Sequence, residues 1–213
     1  MRRLRSLLAV LFVLVLLPAA APAEPGSPAR VIEDLHQVLL KALQTTPPGR
    51  AGIDARYRLF DPVMGRAYDF GRMIEVATGT AWAGASDAEK QALTDAFARL
   101  SVMIYAERFG GGFAGERFEI TGERPGPRDT RLVDTLIHRG TAQPLAPGEE
   151  PTVRVTYVLA ERDGGWRIVD VLLDRSISEL ALRRSEYATV LREGGIARLI
   201  RVLNDKADAT AAG

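Results

Sequence analysis

Asp170 is the one charge in this chain placed where chemistry could happen. Period-2 alternation sets it on one strand face with Trp166, Ile168 and Leu172. A hairpin turning at Asp163-Gly164-Gly165 carries that face back toward Tyr157. A carboxylate buried beside a phenol, inside a cone of strands and helices, can abstract a proton as isomerases and dehydratases do. The structural alternative is a carboxylate bonded to Tyr157 or to an arginine, fixing sheet against helix. The structural reading takes precedence, because no second acid or base accompanies the pair. Asp170, Tyr157 and Trp166 are therefore assigned structural roles and no catalytic residue is named. His36 falls on a helix and His138 on a strand, and His138 reads as a surface residue rather than a base. The chain has no cysteine, which removes thiol catalysis, Fe–S clusters and cysteine zinc sites. No H-E-x-x-H pair, G-x-S-x-G elbow, P-loop or EF-hand-like loop is present, and neither metal nor cofactor is expected. Gly110-Gly111-Gly112 follows a helix, whereas a phosphate cradle precedes one, so it reads as a helix stop.

The strands that carry Asp170 are unusual in being apolar on both faces. Val153, Val155, Tyr157 and Leu159 alternate onto one face of the first. In the second, Trp166, Ile168 and Leu172 share a face, and Val169, Val171 and Leu173 lie opposite. An antiparallel sheet usually wets one face. Helices can cover one side here, and the other needs more protein or a bound apolar ligand.

The rest of the chain supplies those helices. Ser27 caps a first helix with Pro28 at its start, and Val31, Leu35, Val38, Leu39 and Ala42 form its stripe. A second carries Ile53, Tyr57 and Phe60 and stops at Asp61-Pro62. A third is capped by Asp69, turns Met73 and Ile74 inward and ends at Gly79. Ser86 and Glu89 form a capping box for a long fourth helix. Its end, Val102 to Ala106, is apolar nearly all round, as a helix buried on more than one side must be. Strands at 117–121 and 130–139, a loop at 143–151 and the hairpin then make a four-stranded antiparallel meander. A second capping box, Ser176 with Glu179, starts a helix broken at Gly194-Gly195 and followed by a last amphipathic one. Helices segregated from strands give an α+β fold in one domain, residues 24–207, with a loose tail at 208–213.

Residues 1–23 read as a cleaved export signal. Arg2, Arg3 and Arg5 precede an apolar run too short to span a membrane, and Ala21-Pro22-Ala23 suits a peptidase cutting near Ala23. Export sets the mature chain in the periplasm. Removing those three arginines from 28 basic residues leaves 25 against 27 acidic ones. Without a basic excess, nucleic acid is not an expected partner.

Several landmarks, in order, resemble the MlaC or toluene-tolerance auxiliary family of periplasmic lipid-binding proteins. Asp69-Phe70, Gly79 and Trp82 look like its D-F…G-x-x-W segment, and Gln91, Phe97, Leu100 and Tyr105-Ala106 fit its long helix. Trp166, Ile168, Asp170 and Val171 fit its W-x-V-x-D-V strand, and Arg184, Ser185 and Tyr187 its R-S-x-F/Y motif. Gly195, Leu199, Ile200, Leu203 and Lys206 match its G-x-x-x-L-I-x-x-L-x-x-K ending. The stretches Ala77 to Trp82 and Ser176 to Ala181 look closest to HpnM, the member associated with hopanoid biosynthesis.

The resemblance implies a curved antiparallel sheet of about four strands, wrapped by helices around a deep apolar cavity. It implies carriage of phospholipid between an inner-membrane lipid transporter complex and an outer-membrane lipid acceptor or donor, without catalysis. The likeness to HpnM adds hopanoid as an alternative cargo. Cargo-lining candidates are then Met73, Leu100, Met103 and Ile104 on helices, and Val169, Val171 and Leu173 on the sheet. Tyr187, Leu199 and Ile200 would close the cavity from the C-terminal helices. Three readings thus stand side by side: a lipid carrier, a cone-shaped isomerase or dehydratase using Asp170 and Tyr157, and a ligand-free adaptor.

Overall fold

The computed structural model describes residues 24, 26–140, 150–174 and 176–212; the signal at 1–23 and most of the loop at 143–151 lie outside the described residues. Among the described residues, five α-helices and a short 3-10 helix (Gly49–Gly52) precede the sheet: α1 (Pro28–Thr45), α2 (Ile53–Ala67), α3 (Phe70–Thr78), the single turn α4 (Thr80–Ala83) and α5 (Asp87–Arg108). Then come β1 (Arg117–Pro125), β2 (Arg131–His138), β3 (Thr152–Arg162), β4 (Gly165–Leu173), the two-residue β5 (Ile177–Ser178) and α6 (Glu179–Ala212). The strands pair in chain order, each antiparallel to the next. The fold is therefore the expected α+β meander, lengthened at its edge by β5.

Local chemistry sets most helix starts. Ser27 Oγ accepts the Arg30 amide at 3.2 Å, and the Asp69 carboxylate accepts that of Arg72 at 2.9 Å. Ser86 and Glu89 form the full capping box. Each such cap contributes about 1 kcal/mol.

Besides β1, which runs on to Pro125 rather than stopping at 121, three boundaries differ from the sequence reading. Helix α2 does not stop at Asp61-Pro62 but runs to Ala67 with Pro62 inside it. Proline there removes a backbone bond, and burial of Phe60, Met64 and Ala67 on one stripe carries the helix past it. Helix α6 is capped by Ser178 rather than Ser176, its Oγ accepting the Ala181 amide at 3.0 Å. Gly194 and Gly195 leave helical geometry, with Gly195 at φ 61°, so the helix kinks there as expected. Beyond the kink the chain from Asp208, read as a loose tail, stays helical to Ala212. Ala207 is fully buried and Arg99 pairs with Asp208 at 2.5 Å, which ties this last stretch to α5.

The main core lies between one sheet face and the helices. Helix α1 lies across that face, with the His36 ring 4.8 Å from Phe118 of β1 and 5.8 Å from Tyr157 of β3. Helix α5 packs between α2 and α6. Its last turns bury Val102, Met103 and Ala106, with Ile104 and Tyr105 half-buried, as the loss of its polar face foretold.

Candidate functional site

One backbone insertion decides which side chains can meet. Leu159 pairs with Ile168 and Val158 with Asp170, so Val169 is an extra residue in β4. A β-bulge of this kind interrupts the alternation of faces. Ile168 and Val171 are both buried, at a spacing of three rather than two. Regular alternation sets Asp170 with Trp166 and Ile168 beside Tyr157; the bulge moves it to the other face, opposite Val158. Likewise Val171 and Leu173 do not lie opposite Trp166: they join the helix-facing side with Tyr157, where Trp166 also packs on the core. Of the three strand candidates only Val169 stays on the outer side, with Asp170 and Leu172.

Asp170 itself works as a joint. Its carboxylate accepts the Val171 amide at 2.8 Å, the Ser178 hydroxyl at 2.6 Å and the Leu180 amide at 3.3 Å. A negative group at the start of α6 also complements the helix dipole. These bonds join the sheet to β5 and α6, where the sequence reading expects Tyr157 or an arginine as the partner. A dyad of Asp170 with Tyr157 is not assembled.

On the helix side the sheet leaves an open groove of about 370 Å³. Val153, Val155, Tyr157, Val171 and Leu173 line its sheet side, and Tyr105 and Phe109 from the end of α5 its helix side. Among the described residues, Arg108, Arg139 and Glu179 are its charged members. Tyr105 and Glu179 also border a second, much smaller void of about 20 Å³ among Met64, Tyr68, Met73, Phe97 and Ile104. That void has room for about one water.

A hydrogen bond between the Tyr68 and Tyr105 hydroxyls, 2.8 Å long, stands where the two spaces meet. Burial, with Glu179 nearby, pushes the Tyr105 phenol up to about 12. Burial and neighbouring tyrosines also raise Tyr68 well above the usual range, and burial does the same for Tyr157. These phenols stay neutral at ordinary pH, and those of Tyr68 and Tyr105 bond to each other.

The α5 wall is held from behind by Arg56, only 1% exposed. Its guanidinium donates to the carbonyls of Ala106 at 2.5 Å, Pro47 at 2.7 Å and Gly49 at 2.5 Å. These bonds tie the α1–α2 connection to the last turn of α5, which bears Tyr105 and Arg108. Gly52 and Gly110 pack so close to Arg56 that a Cβ on either would collide with it or with adjacent backbone.

The candidates named from sequence scatter over four places. Val171 and Leu173 border the groove, and Met73 and Ile104 border the small void. Leu100, Met103 and Leu199 are buried in the core and Ile200 packs on it half-buried, none of them lining either space. Tyr187 is buried with its hydroxyl unpartnered, away from both. Val169 borders a separate outer groove of about 390 Å³ with Val158, Ala160 and Leu172. The sequence reading misses Tyr68, Tyr105, Phe109 and the charged rim as site residues. In sequence Tyr105 stands out only in the apolar end of the long helix and in a motif, and Glu179 only as part of a helix cap.

Comparison with curated protein sequences finds no match. Among solved structures, the fold is similar to a phospholipid-binding protein from Ralstonia solanacearum, solved in complex with a phospholipid. The TM-score is 0.69 at 20% identity, over 85% of this chain and 97% of that one. At that identity the likeness speaks for the fold. The model of the family described as MlaC protein matches residues 33–205, well over half the sequence, and the chain belongs to the MlaC family.

Proposed function

We propose that this protein is a lipid carrier that holds phospholipid acyl chains in the groove between sheet and α5. The observation that carries the reading is the groove itself: an apolar floor open to solvent, with charge confined to its rim. At about 370 Å³ it falls at the low end of ligand sites, roughly 300–1,000 Å³. Parting of the Tyr68–Tyr105 bond would join it to the inner void and lengthen the apolar path toward Met73 and Phe97.

The energetics suit a carrier. Each buried methylene gains ~0.8 kcal/mol over water, so a chain of ~16 carbons gains ~12 kcal/mol before ordering costs. A bilayer offers a similar gain, which keeps transfer between bilayer and protein nearly balanced and lets the same protein load and unload.

The wider reading follows from family membership and the export signal read at 1–23. The mature protein works in the periplasm, without catalysis, between an inner-membrane transporter complex and an outer-membrane acceptor or donor. Hopanoid is the alternative cargo, on the likeness to HpnM of the stretch from Ala77 to Trp82. The test is uptake from vesicles containing fluorescent phospholipid, with unlabelled phospholipid and hopanoid as competitors. Saturable uptake, competed by one of them, supports the reading. Absence of any uptake rejects it.

A further inference from the structure

We propose that the hydroxyls of Tyr68 and Tyr105 exchange their bond to each other for the ester carbonyls of a diacyl lipid, at the point where its two chains part between the groove and the inner void. This rests on the lipid-carrier reading and deepens it, naming the ester linkage as the feature of the cargo that the site recognises. Volume sets the first constraint. At ~30 Å³ per carbon, about the share of a water in the liquid, two chains of ~16 carbons need roughly 1,000 Å³. The groove, at about 370 Å³, falls well short of two. The outer groove lies across the sheet, out of reach. The inner void is the neighbouring space that can grow: Met64 and Met73 line it, and such unbranched, polarizable side chains repack to fit irregular shapes.

The tyrosine pair stands at that branch. Tyr105 lines both spaces and Tyr68 lines the void, and the 2.8 Å bond between their hydroxyls closes the junction. Each ring is steadied apart from that bond. Tyr68 lies flat on Phe70, with centroids 5.3 Å apart, and its backbone is bridged to Ile168 of β4. Tyr105 stacks on Phe109 at 6.0 Å. The hydroxyls can therefore change partners while the rings stay close to their places. Burial holds both phenols above their usual range, so each keeps its proton at ordinary pH and can donate it. Bonded to each other, one donates and the other accepts; facing two carbonyls, both donate. An ester carbonyl accepts such a proton well, and an ether oxygen accepts it more weakly. The other polar groups around the void are committed or of the wrong kind. The Ser101 hydroxyl donates to the Phe97 carbonyl at 2.8 Å, and Arg183 pairs with Glu186 at 3.3 Å. Glu179, the other residue lining both spaces, offers a carboxylate, which is an acceptor.

The experiment uses vesicles holding equal amounts of diacyl phosphatidylcholine and its dialkyl ether analogue, with matched chains and the same headgroup. Mature protein and the double variant Tyr68→Phe/Tyr105→Phe are incubated with them, recovered, and their bound lipids counted by mass spectrometry. Wild type should enrich the ester form about fivefold, the worth of about one net hydrogen bond. The double variant keeps both rings and should bind the two forms about equally. If thermal unfolding shows that it does not fold, Tyr105→Phe alone is read the same way, with a smaller loss of preference expected. An ester preference equal in wild type and folded variant overturns the proposal, whatever the substitutions do to stability. A second arm uses diacyl phosphatidylcholine carrying a photoactivatable diazirine at the end of each chain. Crosslinks should fall on the segments bearing Met73 and Phe97 as well as on the groove; crosslinks confined to the groove overturn the proposal. Uptake of both lipids without preference by the wild type defeats this inference and leaves the carrier reading standing, whereas no uptake of either defeats the carrier reading.

Discussion

Acid should loosen the contact between α1 and the sheet through one residue. His36 is 6% exposed, its Nε2 has no hydrogen-bond partner, and its ring lies against Phe118 and Tyr157. Burial lowers its pKa from 6.5 to about 4. Between those two values the unfolded chain binds a proton that the folded chain refuses. Stability therefore rises with pH across that window. The contribution is fully present above 6.5, falls as the pH drops below it, and levels off near 4. At about 1.36 kcal/mol for each pH unit separating the two values, the full loss is about 3 kcal/mol, and about 2.5 kcal/mol of it is reached by roughly pH 4.5. The assay is urea unfolding of the wild type and of His36→Phe at about pH 7.5 and 4.5. Phenylalanine keeps an aromatic ring against Phe118 and removes the titration. Carboxylates such as Glu119, whose bonds to Arg117 and His138 hold it below its usual range, contribute acid sensitivity to both proteins and cancel. The wild type should lose about 2.5 kcal/mol more than the variant. Equal losses would refute the assignment of this pH dependence to His36.

Other perturbations read the site directly. Val171 is 2% exposed on the groove floor, so Val171→Trp should displace bound lipid while costing the lipid-free protein less than the ~1–3 kcal/mol of an overpacked core; thermal unfolding and retained lipid report the two effects, and a strongly destabilised lipid-free protein would place Val171 in closed core. Arg56→Met should cost about 3 kcal/mol or more by leaving the carbonyls of Ala106, Pro47 and Gly49 without their donor, measured by urea unfolding. Asp170→Asn should cost about 1–2 kcal/mol through weaker capping of α6 and leave lipid uptake largely intact; substrate turnover by the wild type that vanished in the folded variant would revive the enzyme reading.

Much of the fold is legible in the sequence because its determinants are local. Ser27, Asp69 and the Ser86–Glu89 box announce helix starts with side chains that bond the backbone three residues on. The apolar end of α5 announces burial on several sides. The face of Asp170 is not legible. A bulge at Val169 is a property of pairing between strands, and Ile168-Val169-Asp170-Val171 alternates just as a regular strand would. The passage of α2 through Pro62 is hidden for a similar reason: tertiary burial of Phe60 and Met64 overrides a local signal. Arg56 does leave a trace, since it continues the stripe of Ile53 and Phe60 at helical spacing, where a charge must be either exposed or fully bonded. Apolarity alone points to Val171 and Leu173, and they line the groove. Nothing local points to Arg108 and Arg139, because which element ends meet at a rim depends on how the sheet and α5 pack.

The central claim is that the groove between the sheet and α5 holds lipid acquired in the cell. Native mass spectrometry of the mature protein, gently purified from a Gram-negative periplasm, tests it most directly when paired with lipid extraction and with the Val171→Trp variant. A population of wild-type protein should carry phospholipid-sized mass, identified by extraction, and the folded variant should be largely without it. Wild-type protein free of lipid, or a folded variant carrying as much lipid as the wild type, would contradict it.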